Sequence, residues 1–290
     1  MKTVLITGAS GYLGHHLVKS FVERGDTKII AIGGRPEDKV NPLPDNPLVQ
    51  FYTLDRLFID QFDDIDTVIN CAFARSNDAT LLAQAFDFTE MLIHRLEDLK
   101  VKSVINLSSQ GVYKRLPKGE LSVENSPIEP VDLYSMAKYA SEKLFSVSDI
   151  PYVTNIRLAS LMMPQRFLFF FVQKAVHGEK FMVTAPNQYA ALLDVTDAAS
   201  GLVAVTTLPH EKRFNVYNLG IGTQYSLLEY ANSVKSIGEK FGYTVEYEIA
   251  DNIIESNAGM DCSKLMKDTG WKPTILKDEM ITNLYKKIQL

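Results

Sequence analysis

The chain has 290 residues, 46% hydrophobic and 22% charged, a mixture that supports one main domain with a smaller appendage and argues against a disordered tail. A formal charge of −5, with no dense Lys/Arg cluster, excludes a nucleic-acid surface as the expected partner. Cys71 and Cys262 are too few for a disulfide framework and the five histidines are scattered, so no metal site is expected and the expected setting is a reducing cytoplasm.

The opening "KTVLITGASGYLGHHLVKSFVERGD" gives a β-branched strand, Thr3 to Thr7, running into Gly8, Gly11 and Gly14. A helix follows, with Leu13, Leu17, Phe21 and Val22 on one side. Gly8 permits a tight turn, Gly11 a close backbone approach, and Gly14 close packing of helix on strand. Strand, glycine turn and helix at the chain start read as a dinucleotide site. The main chain at Tyr12 and Leu13 opens the helix whose N-terminus would hold a pyrophosphate. The next strand, "KIIAIGGRPEDK", ends on Gly33 and Gly34, where an NAD site usually carries an acid for the ribose hydroxyls. Arg35 offers a guanidinium to a 2′-phosphate instead, so NADP(H) is the favoured cofactor. Glu37 or Asp38 folding back towards the ribose would leave NAD(H).

Further strands are expected at "LVQFYTL", "DTVINCAF", "KSVINLSS" and "YVTNIRLASL". Buried parallel strands read as near-continuous apolar runs, and these do. The expected fold class is α/β, a Rossmann-type doubly wound parallel sheet with a small C-terminal substrate-binding lobe. Residues 1–160 are assigned to the nucleotide domain, with 190–219 returning to it, and residues 161–189 and 220–290 to the lobe. The greasiest run, "RFLFFFVQKAV", is too short to span a bilayer, and the first residues reach glycine before a signal-peptide hydrophobic region, so no membrane partner is expected. "RFLFFFVQ" reads equally as a core helix or a pocket wall. In "LYSMAKYASEKL", Tyr134 and Lys138 stand at i,i+4 and leave the same face of a helix.

With "GASGYLG", "NCAFA", "SSQGVY", "YSMAK", "LLDVTDAA", "YNLGIG" and "KLMKDTGWKP" in this order, nearly the whole chain resembles the extended short-chain dehydrogenase/reductases, the nucleotide-sugar epimerase/dehydratase type. The resemblance implies a catalytic set. Tyr134 would exchange the proton at the reacting oxygen, and Ser109 would bond the same oxygen. Lys138 would hold the nicotinamide ribose and favour the phenolate. It also implies Asp55 as a contact for adenine, places Cys71, Ala72 and Phe73 where the fourth strand passes the cofactor, and suggests a homodimer through the helices at "LLAQAFDFTEMLIHRL" and "YSMAKYASEKLF". Cys71 is read as packing rather than as a nucleophile.

Departures from the pattern narrow the reaction. Dehydratases of the family carry an acidic pair after the Ser/Thr; here Gln110 and Gly111 stand there, so 4,6-dehydration is not expected. "SLMMP" replaces the usual Asn-x-Tyr-Gly-Pro, and Ala190 stands where an arginine often binds diphosphate, leaving Arg166, Lys174 or Lys180 to supply charge. Arg35 tilts the reading towards NADPH-dependent reduction of a keto group on a sugar or nucleotide-linked sugar. The alternatives are a nucleotide-sugar epimerase with retained NAD(P), and a non-catalytic nucleotide-sensing or scaffold protein.

Overall fold

The structure is a computed structural model that describes residues 1–34, 43–117, 119–164, 166–250 and 259–288. In chain order it begins with β1 (Lys2–Thr7), α1 (Tyr12–Arg24), β2 (Thr27–Gly33), β3 (Val49–Thr53), α2 (Leu54–Ile59) and β4 (Thr67–Asn70). It continues with α3 (Ala79–Asp98), β5 (Ser103–Ser109), α4 (Leu133–Val147), β6 (Tyr152–Leu158), β7 (Ser160–Leu161), α5 (Phe167–Val176) and β8 (Phe181–Val183). The remainder is β9 (Tyr189–Ala190), β10 (Leu192–Leu193), α6 (Val195–Val205), β11 (Phe214–Leu219), β12 (Tyr225–Ser226), α7 (Leu227–Lys240), β13 (Tyr247–Ile249), α8 (Ser263–Thr269) and α9 (Lys277–Ile288).

Seven strands form one parallel sheet in the order β11-β6-β5-β4-β1-β2-β3. The order reverses between β1 and β4, so the loops leaving their carboxyl ends diverge and open a crevice there. One face is covered by α1 and α6, where Leu17, Phe21, Leu202 and Leu219 are fully buried. The other carries α2, α3 and α4, burying Leu57, Leu92 and Phe145. Each such side chain contributes about 1.5–3 kcal/mol by leaving water, which outweighs the weak intrinsic preference of any one segment.

A third apolar cluster gathers α5, α7 and α9, with Tyr230 and Tyr285 fully buried and Phe171 stacked on Phe181 at 4.4 Å. "RFLFFFVQ" is therefore mainly a core helix of this cluster, although Phe170 stays exposed. The segment after α8 is tied back to α6 through the buried Asp197 carboxylate. It accepts from the backbone N–H groups of Thr274 and Ile275 and from the Thr274 hydroxyl, at 2.7 to 2.9 Å.

Two polar features cross the core. Thr7 donates to Asn70, Asn70 to Asn106, and Asn106 to Asn155, at 2.7, 3.1 and 2.9 Å, at facing positions of β1, β4, β5 and β6. This buried ladder satisfies polar side chains that would otherwise cost free energy in the sheet, and it pins the strand register beneath the crevice. On β6, Arg157 meets Glu142 of α4 through two bonds of 3.0 and 2.8 Å, both side chains 5% exposed. That pair fixes the roll of α4 against β6. Removing one partner would leave a buried charge unanswered.

Candidate active site

The turn after β1 approaches β4 and α1 too closely for side chains. Gly8 has φ +69, and a Cβ on it would meet the Ala72 nitrogen at 3.0 Å. A Cβ on Gly14 would fall 2.1 Å from the Gly8 carbonyl oxygen. Gly11 precedes α1 without a side-chain cap, leaving the first-turn N–H groups, including those of Tyr12 and Leu13, to a ligand or solvent. A helix N-terminus opened in this way, with the backbone bare of side chains, fits a pyrophosphate. The Tyr12 side chain turns elsewhere, its hydroxyl donating to the Met162 carbonyl at 3.1 Å.

At the carboxyl end of β2, a Cβ on Gly33 would lie 2.8 Å from Ser10 Oγ, and Ser10 Oγ accepts from the Gly34 N–H at 3.1 Å. The missing acid at this position therefore has a packing cause, and Ser10 is a residue that the sequence reading passed over. Arg35, Glu37 and Asp38 lie outside the described residues. Asp55 stands exposed at the start of α2, just beyond β3 and at the same end of the sheet.

Across the crevice, Ser109 and Tyr134 line one cleft of about 480 Å³, together with Gln110, Gly111, Ser160 and two arginines, Arg75 and Arg166. Ser109 ends β5; its Oγ accepts from the Gly111 N–H at 3.1 Å. Tyr134 sits in the first turn of α4, where Asp132 caps the helix through the Ser135 N–H at 2.8 Å. Asn77, on the loop after β4, accepts from the Tyr134 N–H at 3.0 Å and so ties the two walls together. A Cβ on Gly111 would meet Ser135 Oγ at 2.3 Å, so a side chain at 111 requires α4 or Ser135 to yield.

Lys138 lies one turn on, 5% exposed, and donates from Nζ to the Leu107 carbonyl at 2.6 Å. The Phe73 ring covers the ammonium at 4.1 Å and meets Tyr134 edge-on at 6.4 Å. Burial pulls the lysine down to about 7, with Cys71 and Glu142 opposing. Cys71 beside it is pushed up to about 12 by burial, against the Lys138 charge.

Tyr134 is also raised, first by burial and then by Asp132, while Arg75 and Arg166 act to lower it. The cations that act on the phenol are these two arginines, while the Lys138 ammonium lies against the Phe73 ring. Arg75 was not picked out in the sequence. Its one signal is a lone cation soon after a strand that ends in the crevice.

The family model described as the NAD dependent epimerase/dehydratase family matches residues 4–220. The chain belongs to that family. Among relatives of this epimerase/dehydratase chain, a UDP-glucose 4-epimerase of Dictyostelium discoideum is 22% identical, covering 98% of this chain and 94% of that one. The low-salt glycan biosynthesis protein Agl12 of Haloferax volcanii is 24% identical, with 93% of each chain covered. A solved UDP-glucuronic acid 4-epimerase of Bacillus cereus, in complex with UDP-glucuronic acid and NAD, superimposes with a TM-score of 0.80 at 20% identity over 99% of each chain. That likeness establishes the fold. Among the described residues, no helix is long and apolar enough to cross a membrane, and no cluster of His, Cys, Asp and Glu could hold a metal.

Proposed function

We propose that this epimerase/dehydratase family member is an NAD-dependent nucleotide-sugar epimerase that oxidises one ring carbon and reduces the same carbon on its other face. The carrying observation is the cleft itself. Ser109 and Tyr134 line it together, while positions 110 and 111 hold Gln110 and a glycine packed against Ser135. Proton exchange at one oxygen is provided for; a carboxylate pair to expel water is not. Relatives named as UDP-glucose 4-epimerases support the same reading.

The bound nicotinamide would accept the hydride and return it. Gly8, Gly11 and Gly14 leave room for its pyrophosphate against the start of α1. Tyr134 takes the hydroxyl proton as the carbon is oxidised and gives it back on reduction, and Ser109 fixes that oxygen by a hydrogen bond. Lys138, aimed from the same helix face, binds the nicotinamide ribose once the Phe73 ring turns aside.

A reductase and an epimerase on this site differ in one result. Incubated with UDP-glucose, UDP-N-acetylglucosamine or UDP-glucuronic acid, an epimerase yields the 4-epimer with no net change in nicotinamide absorbance. Reduced cofactor consumed in step with product, or NADPH co-purifying with the protein, would favour the reductase instead.

Leu81 and Met91 of α3, and Leu133, Met136 and Val147 of α4, are exposed. Their apolar area supports the expected homodimer through these helices. A dimer is the expected species by sedimentation at tens of micromolar; a single monomeric boundary would remove the idea.

A further inference from the structure

Two groups in the cleft have no part in moving a hydride or a proton. Arg75, on the loop after β4, and Arg166, at the start of α5, line it beside Tyr134 and Ser109. Among the described residues neither guanidinium meets a carboxylate. Arg75 Nη1 donates to the Met163 thioether at 3.0 Å, and Arg166 Nε to the Leu161 carbonyl at 3.3 Å. A thioether is a weak acceptor, and each guanidinium carries five N–H donors, so most of the bonding capacity is unused. The two charges also act against each other: after burial, Arg75 is the next cause that lowers Arg166. Among the described residues Asp132 is the one acid lining the cleft, and its Oδ1 is already engaged in capping α4.

Two planar cations beside the reacting hydroxyl, facing a single acid already in use, suit a planar anion with two oxygens. The nucleotide diphosphate of a sugar substrate leaves from the anomeric carbon. Groups beside Tyr134 therefore meet substituents of the ring itself. We infer that the substrate is a nucleotide-linked sugar whose ring bears a carboxylate, gripped by Arg75 and Arg166. This rests on the epimerase reading above, because it puts the carboxylate on the sugar that Tyr134 deprotonates. A neutral hexose would bring a hydroxymethyl group to the same place and leave both charges unanswered, which is the basis of the discrimination.

The test is calorimetric titration of the NAD-loaded protein with UDP-glucuronic acid and UDP-glucose, which share the nucleotide and differ at the carboxylate. UDP-glucuronic acid is expected to bind about 10- to 100-fold more tightly, the worth of a charge-assisted contact. Arg166→Gln and Arg75→Gln should each remove about tenfold from that affinity and leave UDP-glucose nearly unchanged. Arg166→Lys should keep part of the preference through charge alone. Arg75 is exposed, so its variant reports on the grip even if the Arg166 change disturbs the start of α5.

Equal binding of the two ligands, or no binding of UDP-glucuronic acid, overturns the inference. So does an equal loss for both ligands in the arginine variants, which would assign them to the shared diphosphate. A preserved preference for UDP-glucuronic acid with no epimerisation of either sugar would support the inference and sink the epimerase reading.

Discussion

Tyr134→Phe is expected to lower kcat roughly 10²-fold or more while leaving nucleotide binding close to that of the parent protein. The change removes one hydroxyl and keeps the ring, which packs edge-on to Phe73 at 6.4 Å, so α4 has no reason to move. In the proposed mechanism the lost group is the one that exchanges the proton in the cleft. Ser109→Ala should cost less, since Ser109 orients the oxygen without carrying its proton. The phenol is raised by burial, with Arg75 and Arg166 opposing, so substrate oxidation should speed up as pH climbs from neutrality and more phenolate forms. Single-turnover oxidation of bound nucleotide sugar, followed by the formation of reduced nicotinamide, measures this step directly. Near-native chemistry in Tyr134→Phe would remove the tyrosine from the centre of the mechanism.

The sheet was legible because its strands are buried on both faces and read as apolar runs, and because Gly8 and Gly14 stand where any side chain would collide with backbone. The polar ladder was not legible in the same way. Its links join residues 63, 36 and 49 positions apart, and an asparagine within a strand does not announce which asparagine it faces. The pair Tyr134 and Lys138 was recognisable from spacing plus the company of Ser109. Helical spacing gives direction but not depth. It set both side chains on one face, and only the packing of Phe73 and the Leu107 carbonyl shows Lys138 sunk beneath the tyrosine's level of exposure. Arg75 escaped for the opposite reason, and Arg166 was picked out only as a possible charge for a diphosphate: single cations look like solvated surface until two distant segments set them beside one phenol.

Lys138→Met is expected to raise the stability of the nucleotide-free protein at neutral and lower pH while abolishing turnover. Lys138 ordinarily titrates at 10.5, and in the fold burial pulls it down to about 7. Between these values the unfolded chain holds a proton that the folded chain has released, so stability of the parent protein rises with pH across that window. At and below about pH 7 the whole penalty of the buried amine is present, on the order of a few kcal/mol. Methionine keeps the length and most of the volume of the lysine stem. It carries no charge, and it gives up the bond to the Leu107 carbonyl, a loss of about 1 kcal/mol. The variant should therefore melt above the parent at about pH 6, and its advantage should shrink steadily towards about pH 10. A margin that stays constant over this range would mean that Lys138 keeps its proton in the fold. The field at the cleft would then come from three cations rather than two.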